Sequence, residues 1–211
     1  MNGLVSQYFR VHPTNPQPRL IGQATAIIRA GGVVVYPTDS CYALGCQMGE
    51  KGAMERIRDI RKLDDRHNFT LVCRDLSEIA SYAQVDNVTY RMLKSLTPGP
   101  YTFVLKATQE VPRRLQNPRR KTIGVRVPDH PVALALLESL GEPLMSATLT
   151  LPGHTEPLTD PEDIRSALAK RVDLIVDSGF CGFEPTTVVD LTGEMPVVAR
   201  KGKGDISPFT G

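Results

Sequence analysis

Apolar positions along this chain alternate between helical spacing and short extended runs. Leu20, Ile21, Ala24, Ile27 and Ile28 recur at helical spacing and stop at Gly31-Gly32, which predicts a helix feeding an extended run from Val33 to Tyr36. Met54, Ile57 and Ile60 place a second helix over Glu50 to Leu63, followed by a strand-length run from Phe69 to Cys73. Asp75 or Ser77 can cap a short helix through Tyr82, and VTYRMLKSL is a further helix that halts at Thr97-Pro98-Gly99-Pro100. TFVLKAT and TIGVRV read as neighbouring strands, Pro131 to Leu140 as a helix closed by Gly141, and PLMSATL as a strand. Asp160-Pro161-Glu162 opens a helix through Lys170, and the strands VDLIVDSG, TTVVDLT and PVVAR finish the chain. Seven or eight strands with five or six helices predict an α/β protein, a single twisted mixed sheet flanked by helices. One domain over residues 1–211 accounts for all of them, with its core at about 18–203.

Composition narrows the class. With 41% hydrophobic and 23% charged residues the chain has the balance of a globular protein, and it holds no apolar run long enough to span a bilayer. The opening MNGLVSQYFRVHP lacks the basic and apolar regions of a secretory signal, so the expectation is a cytoplasmic protein without a membrane partner. Cys41, Cys46, Cys73 and Cys181 are too scattered for a disulfide scaffold, and with His12, His67, His130 and His154 they form no metal-ligand spacing, so no metal site is expected. A net charge of +2 hides one strong asymmetry. Residues 111–128 carry Arg113, Arg114, Arg119, Arg120, Lys121 and Arg126 and no acid, which marks either a solvated basic loop or a face for nucleic acid.

Phosphate-binding glycine loops and the G-x-S-x-G elbow are absent from the sequence. Short hydroxyl clusters recur instead beside strand-like segments: Pro37-Thr38-Asp39-Ser40, Pro98-Gly99-Pro100-Tyr101-Thr102, Ser146-Ala147-Thr148 and Pro185-Thr186-Thr187. Each alone reads as a turn or a satisfied strand hydroxyl. Together with isolated arginines they suit a polar ligand.

These clusters, with Cys41-Tyr42-Ala43-Leu44-Gly45-Cys46, Arg126-Val127-Pro128, Val188-Val189-Asp190 and Val198-Ala199-Arg200-Lys201-Gly202, fall in the order of the YrdC-like family. The chain resembles that family, and the stretch ERIRDIRKLDDRHNFTLVCRDL looks closest to its YciO branch. The resemblance implies a concave basic cavity that takes ATP, L-threonine and bicarbonate and makes threonylcarbamoyl-adenylate for tRNA modification, a nucleotidyltransferase reaction. It implies ATP with Mg2+ as cofactor if the protein is an enzyme. Carried over, Thr38, Thr186 and Thr187 would meet the threonine side, whereas Arg61, Lys62, Arg126, Ser146, Thr148 and Arg200 would lie on the nucleotide side. Asp39 stays open between a magnesium-side carboxylate and a turn residue.

Two departures bear on turnover. The family's K-x-R pair is here Arg61-Lys62-Leu63, with Arg58, Lys62 or Arg66 as nearby substitutes, and its S-x-N is Ser146-Ala147-Thr148. Both changes imply weak synthase activity and keep a second reading alive: a protein that binds double-stranded or folded RNA, in tRNA or rRNA maturation, through Arg113, Arg114, Arg119, Arg120 and Lys121. Monomer and homodimer are both left open.

Overall fold

The structure, a computed structural model, describes residues 5–63 and 69–210; Arg66 and His67 lie outside the described residues. In chain order the elements are β1 (Gln7–Arg10), α1 (Pro18–Arg29), β2 (Val34–Tyr36), β3 (Ala43–Gln47), α2 (Lys51–Arg61), β4 (Thr70–Val72), α3 (Leu76–Tyr82) and α4 (Asn87–Leu96). They continue with β5 (Tyr101–Lys106), β6 (Thr122–Arg126), α5 (Pro131–Leu140), β7 (Leu144–Thr148), α6 (Pro161–Leu168), β8 (Leu174–Asp177), β9 (Thr187–Asp190) and β10 (Val197–Arg200).

Local chemistry sets the helix ends. Asp75 accepts the N–H of Glu78 at 2.9 Å to start α3, so Asp75 rather than Ser77 is the cap. Asp86 caps α4 and Asp160 caps α6 in the same way, and Pro occupies the first turn of α1, α5 and α6, where no intrahelical donor is needed. Gly141 closes α5 at φ 75°, and Lys62 closes α2 in the same left-handed region at φ 52°.

All ten strands form one mixed sheet in the order β1-β8-β2-β3-β7-β4-β6-β5-β9-β10. The pairs β1–β8, β2–β8, β4–β6 and β5–β9 run parallel and the remaining neighbours antiparallel. The expected hairpin of TFVLKAT with TIGVRV is present as β5–β6. Ten strands exceed the expected seven or eight because β1 and β3 were not anticipated. The first is four residues at a sheet edge, and the second is an unbroken buried run with no alternation to mark it.

Alternation assigns the two sheet faces. Leu44, Leu71, Phe103, Val125, Met145 and Ile175 pack beneath α2, α3, α4 and α6 through Ile57, Ile79, Leu93 and Ile164. On the opposite face, Val34, Tyr36, Val72, Leu144 and Leu174 pack against α1 and α5 through Ile28, Val132 and Leu136. Those two helices cover only part of their face. The strand β5, most of β6 and β9 remain uncovered there, and that gap becomes the cavity described next.

Glu78 is 9% exposed at the start of α3, and its Oε2 accepts the backbone N–H of Arg74 at 2.6 Å. Burial pushes its carboxyl above the usual range, outweighing that hydrogen bond and the nearby Arg74 charge. A raised folded-state value means stability that is present at low pH and lost as pH rises through it. The Glu78→Gln variant is therefore expected to lose its relative advantage on acidification: between pH 7 and 4, chemical denaturation should show the parent gaining stability relative to the variant. An unchanged difference across that window would sink this assignment. Among the described residues no helix is long and apolar enough to cross a membrane.

Candidate functional site

A cavity of about 310 Å³ opens over the uncovered half of the sheet. Its floor follows the strand alternation: Thr122, Gly124 and Arg126 of β6, Thr102 and Val104 of β5, Thr70 of β4, and Ser146 and Thr148 of β7 all line it. The register explains the convergence, because Thr70 stands opposite both Gly124 and Ser146, and Val104 opposite Gly124. Gly124 keeps the floor open. A Cβ there would lie 3.3 Å from Thr102 Cγ2 and from Thr70 Oγ1.

One wall is the loop 37–41, which leaves β2 for β3. Thr38 Oγ1 accepts the N–H groups of Ser40 and Cys41, each at 3.2 Å, and donates to Cys41 O at 2.7 Å. This hydroxyl is committed to turning the chain, so Thr38 borders the cavity as a scaffold. The turn in turn presents Ser40 and Asp39 to β6. Arg126 donates through Nη1 to Ser40 Oγ at 3.2 Å and through Nη2 to Asp39 Oδ1. Behind it, the buried Tyr36 hydroxyl meets Ser146 Oγ at 2.7 Å, and burial pushes that phenol up to about 12.

Opposite, Arg200 donates to Thr186 O at 2.8 Å, and Thr186 Oγ1 meets Thr102 Oγ1 at 2.8 Å. Arg61, from the last turn of α2, donates through Nε to Thr150 O at 3.2 Å. Among the described residues neither Arg61 nor Arg200 has a carboxylate partner. Burial holds both guanidinium groups below their usual range, and for Arg61 the charge of Arg200 adds to the effect. Arg61, partly buried, and the more exposed Arg200 thus border one cavity, an arrangement of two like charges that would suit an anionic ligand. Cys41 also borders the cavity, but burial pushes its thiol up to about 11, so it is no nucleophile at neutral pH.

Of the candidate residues named from the sequence, Thr38, Arg61, Arg126, Ser146, Thr148, Thr186 and Arg200 come together here. Two do not. Lys62 sits at the left-handed end of α2 with its Nζ 2.6 Å from Asp59 in solvent. Thr187 has the opposite strand parity to Thr186: its buried hydroxyl donates to Gly204 O at 2.6 Å and accepts from Gly202 N at 3.0 Å, which pins the C-terminal segment. Arg113, Arg114, Arg119, Arg120 and Lys121 lie outside the cavity. Arg113, Arg120 and Lys121 border a separate groove with Lys106 and Gln84, Arg114 donates to Gly49 O, and Arg120 is tied to Asp190 at 2.6 Å. Sequence reasoning missed Thr70, Thr122 and Thr150 as lining residues; Ser40, Cys41 and Thr102 stood in noted stretches without a role.

Among the described residues no group of three or more His, Cys, Asp or Glu lies together as a metal site, and Asp39, the carboxylate beside the cavity, is committed to Arg126. The described residues do not fit a protein-held Mg2+.

Comparison with known proteins gives a consistent picture. The Sua5/yciO/yrdC family model, described as "Telomere recombination", matches residues 26–202. YciO of Escherichia coli strain K12 is 60% identical over 97% of this chain and all of its own length, and its crystal structure superposes with a TM-score of 0.94 over 97% of this chain and 99% of the other. The threonylcarbamoyl-AMP synthase of Halorhodospira halophila is 31% identical over 84% of this chain and 93% of its own. The crystal structure of P. abyssi Sua5 complexed with L-threonine is 26% identical, with a TM-score of 0.85 over 93% of this chain and 58% of the other.

Proposed function

This chain belongs to the Sua5/YciO/YrdC family, and from that premise we propose that its cavity binds ATP and L-threonine and supports a threonylcarbamoyl-adenylate synthase reaction of low turnover. The observation that carries this reading is the Arg61–Arg200 pair, two cations bordering one cavity with no carboxylate partner among the described residues. The negative charge of a triphosphate would offset the repulsion between the two cations, and guanidinium supplies several fixed donors to phosphate oxygens. The L-threonine in P. abyssi Sua5 and the synthase relatives at about 30% identity support the amino-acid half.

In this reading the threonine amine and bicarbonate give a carbamate and water. A carbamate oxygen then attacks the α-phosphorus and pyrophosphate leaves. The protein contributes by holding the two substrates in line and by setting Arg61 and Arg200 against phosphate charge, with no covalent nucleophile. Mg2+ would enter with the nucleotide as part of the substrate. The changed Arg61-Lys62-Leu63 triplet supports low turnover, because Lys62 faces solvent and leaves Arg61 as the cation of that segment bordering the cavity.

The test is pyrophosphate release from ATP by purified protein with threonine and bicarbonate supplied or omitted. Release that requires both is expected, at a slow rate. Release independent of threonine, or none at all, removes the synthase reading.

A second reading has its own observation, the groove where Lys106, Arg113 and Lys121 lie together away from the cavity. Folded or double-stranded RNA would sit there through phosphate contacts. Binding that weakens steeply from low to physiological salt, in protein whose threonine-dependent turnover is absent, would favour it.

A further inference from the structure

The hydrogen bonding of Arg200 continues beyond its carbonyl anchor. Its Nη2 donates to Thr186 O at 2.8 Å and, at the longer distance of 3.4 Å, to Thr186 Oγ1. Thr186 Oγ1 lies 2.8 Å from Thr102 Oγ1, and Thr102, Thr186 and Arg200 all line the cavity. Strand order makes the contact possible, because β5 stands between β6 and β9 with Thr102 opposite Val188. The Thr102 methyl packs toward Gly124 of β6, where a Cβ would lie 3.3 Å from it, and the hydroxyl is left on the β9 side.

Valence fixes the sense of this relay. A guanidinium has donors only, whereas a hydroxyl has one proton and two lone pairs. The charge of Arg200 therefore faces a lone pair of Thr186 Oγ1 and turns the Thr186 proton away, toward Thr102 Oγ1. Thr102 spends a lone pair on that bond and keeps its own proton. Among the described residues Thr102 Oγ1 has no other hydrogen-bond partner. Donors that run in series from a cation polarise one another, so the last hydroxyl is a stronger donor than an isolated threonine. The opposite sense would turn the Thr186 proton back toward the cation and leave Thr102 with lone pairs only, repelling an anion.

We propose that Thr102 is a ligand-binding residue of this cavity, a hydroxyl donor polarised by Arg200 through Thr186 and directed at an anionic oxygen of the bound molecule. This rests on the reading that the cavity takes a nucleotide and an amino acid. A phosphate and a carboxylate both supply such an oxygen. In either case a neutral residue joins Arg61 and Arg200 in holding negative charge, and it does so without adding a third cation to the cavity.

The experiment titrates ATP, L-threonine and inorganic pyrophosphate separately into the parent and its variants by calorimetry. Thr102→Val keeps the shape and removes the hydroxyl, and it should weaken the ligand that meets Thr102 by about tenfold, the scale of one hydrogen bond to a charged group. Loss in the ATP and pyrophosphate arms assigns the oxygen to a phosphate, and loss in the threonine arm assigns it to the carboxylate. Thr102→Ser restores the donor and should bind within about threefold of the parent. In the Arg200→Ala background the polarising charge is gone, and the cost of Thr102→Val should fall to about threefold or less. Thr102→Ala gives the same comparison if the valine variant does not fold. Affinities within about twofold of the parent in Thr102→Val for every ligand overturn the proposal. So does a serine variant no better than valine, or an equal cost with and without Arg200. A parent that binds pyrophosphate but neither ATP nor threonine, with that binding lost in Thr102→Val, supports the relay and overturns the proposed function. Binding of none of the three overturns both.

Discussion

Arg200→Ala and Arg61→Ala are each expected to weaken ATP binding by about 10- to 100-fold, the size of a lost charged hydrogen bond of about 1.5–3 kcal/mol. The expectation follows from what these side chains lack. Each is anchored by a backbone carbonyl, Thr186 O for Arg200 and Thr150 O for Arg61, and among the described residues neither meets a carboxylate. Desolvation opposes the charge of both in the free protein, and for Arg61 the charge of Arg200 adds to it; the attraction of a bound polyphosphate would outweigh these costs. Stability should respond differently from binding. Removing a cation that lacks a counter-charge takes away its hydrogen bonding and its desolvation cost together, so the melting temperature should move little. Arg200→Lys keeps the charge but not the fork, and should recover only part of the affinity. Calorimetric titration with ATP, beside thermal unfolding of the same samples, checks the pair of outcomes. Affinity within about twofold of the parent in both alanine variants would leave the anion site without support, because a fold-change that small is under about 0.5 kcal/mol.

The convergence of Thr38, Arg61, Arg126, Ser146, Thr186 and Arg200 was legible as motif order, yet the geometry behind it was not. Those residues sit on separate elements spread along the chain, and they meet because strand order folds β7, β4, β6, β5 and β9 side by side. Strand order is a property of long-range pairing, which local alternation does not encode. Local geometry explains the two residues that lie elsewhere. For Thr187, a shift of one position along a strand exchanges the faces, so a Thr-Thr pair can put only one hydroxyl into the cavity. For Lys62, the left-handed end of α2 turns the chain just after Arg61 and sends the next side chain to Asp59. The caps Asp75 and Asp160 were readable because their chemistry is local, each bonding a backbone N–H within three residues, while Asp86, which caps α4 in the same way, went unread. Asp39 was readable as a turn residue, while its partner, 87 residues further along, came only from the fold.

Arg126→Ala is expected to destabilise the protein by about 3–5 kcal/mol, because removing one member of a buried ion pair leaves the other as an uncompensated buried charge. Asp39 would be that charge, at 9% side-chain exposure, with Ser40 Oγ also deprived of a donor. Removing both partners should cost less than removing Arg126 alone, since Asp39→Ala in the Arg126→Ala background eliminates the stranded carboxylate. The signature is therefore non-additivity, with the double variant more stable than Arg126→Ala, measured as a double-mutant cycle by urea denaturation. Additive losses, or a cost for Arg126→Ala below about 1 kcal/mol, would mean that the pair is solvent-screened as surface pairs are. The result also decides how activity data on this residue can be read. If Arg126 carries that much of the fold, a loss of turnover in Arg126→Ala reports stability first. The chemistry of this wall is then read from Asp39→Asn, where Arg126 keeps an oxygen acceptor of the same shape and only the counter-charge is gone.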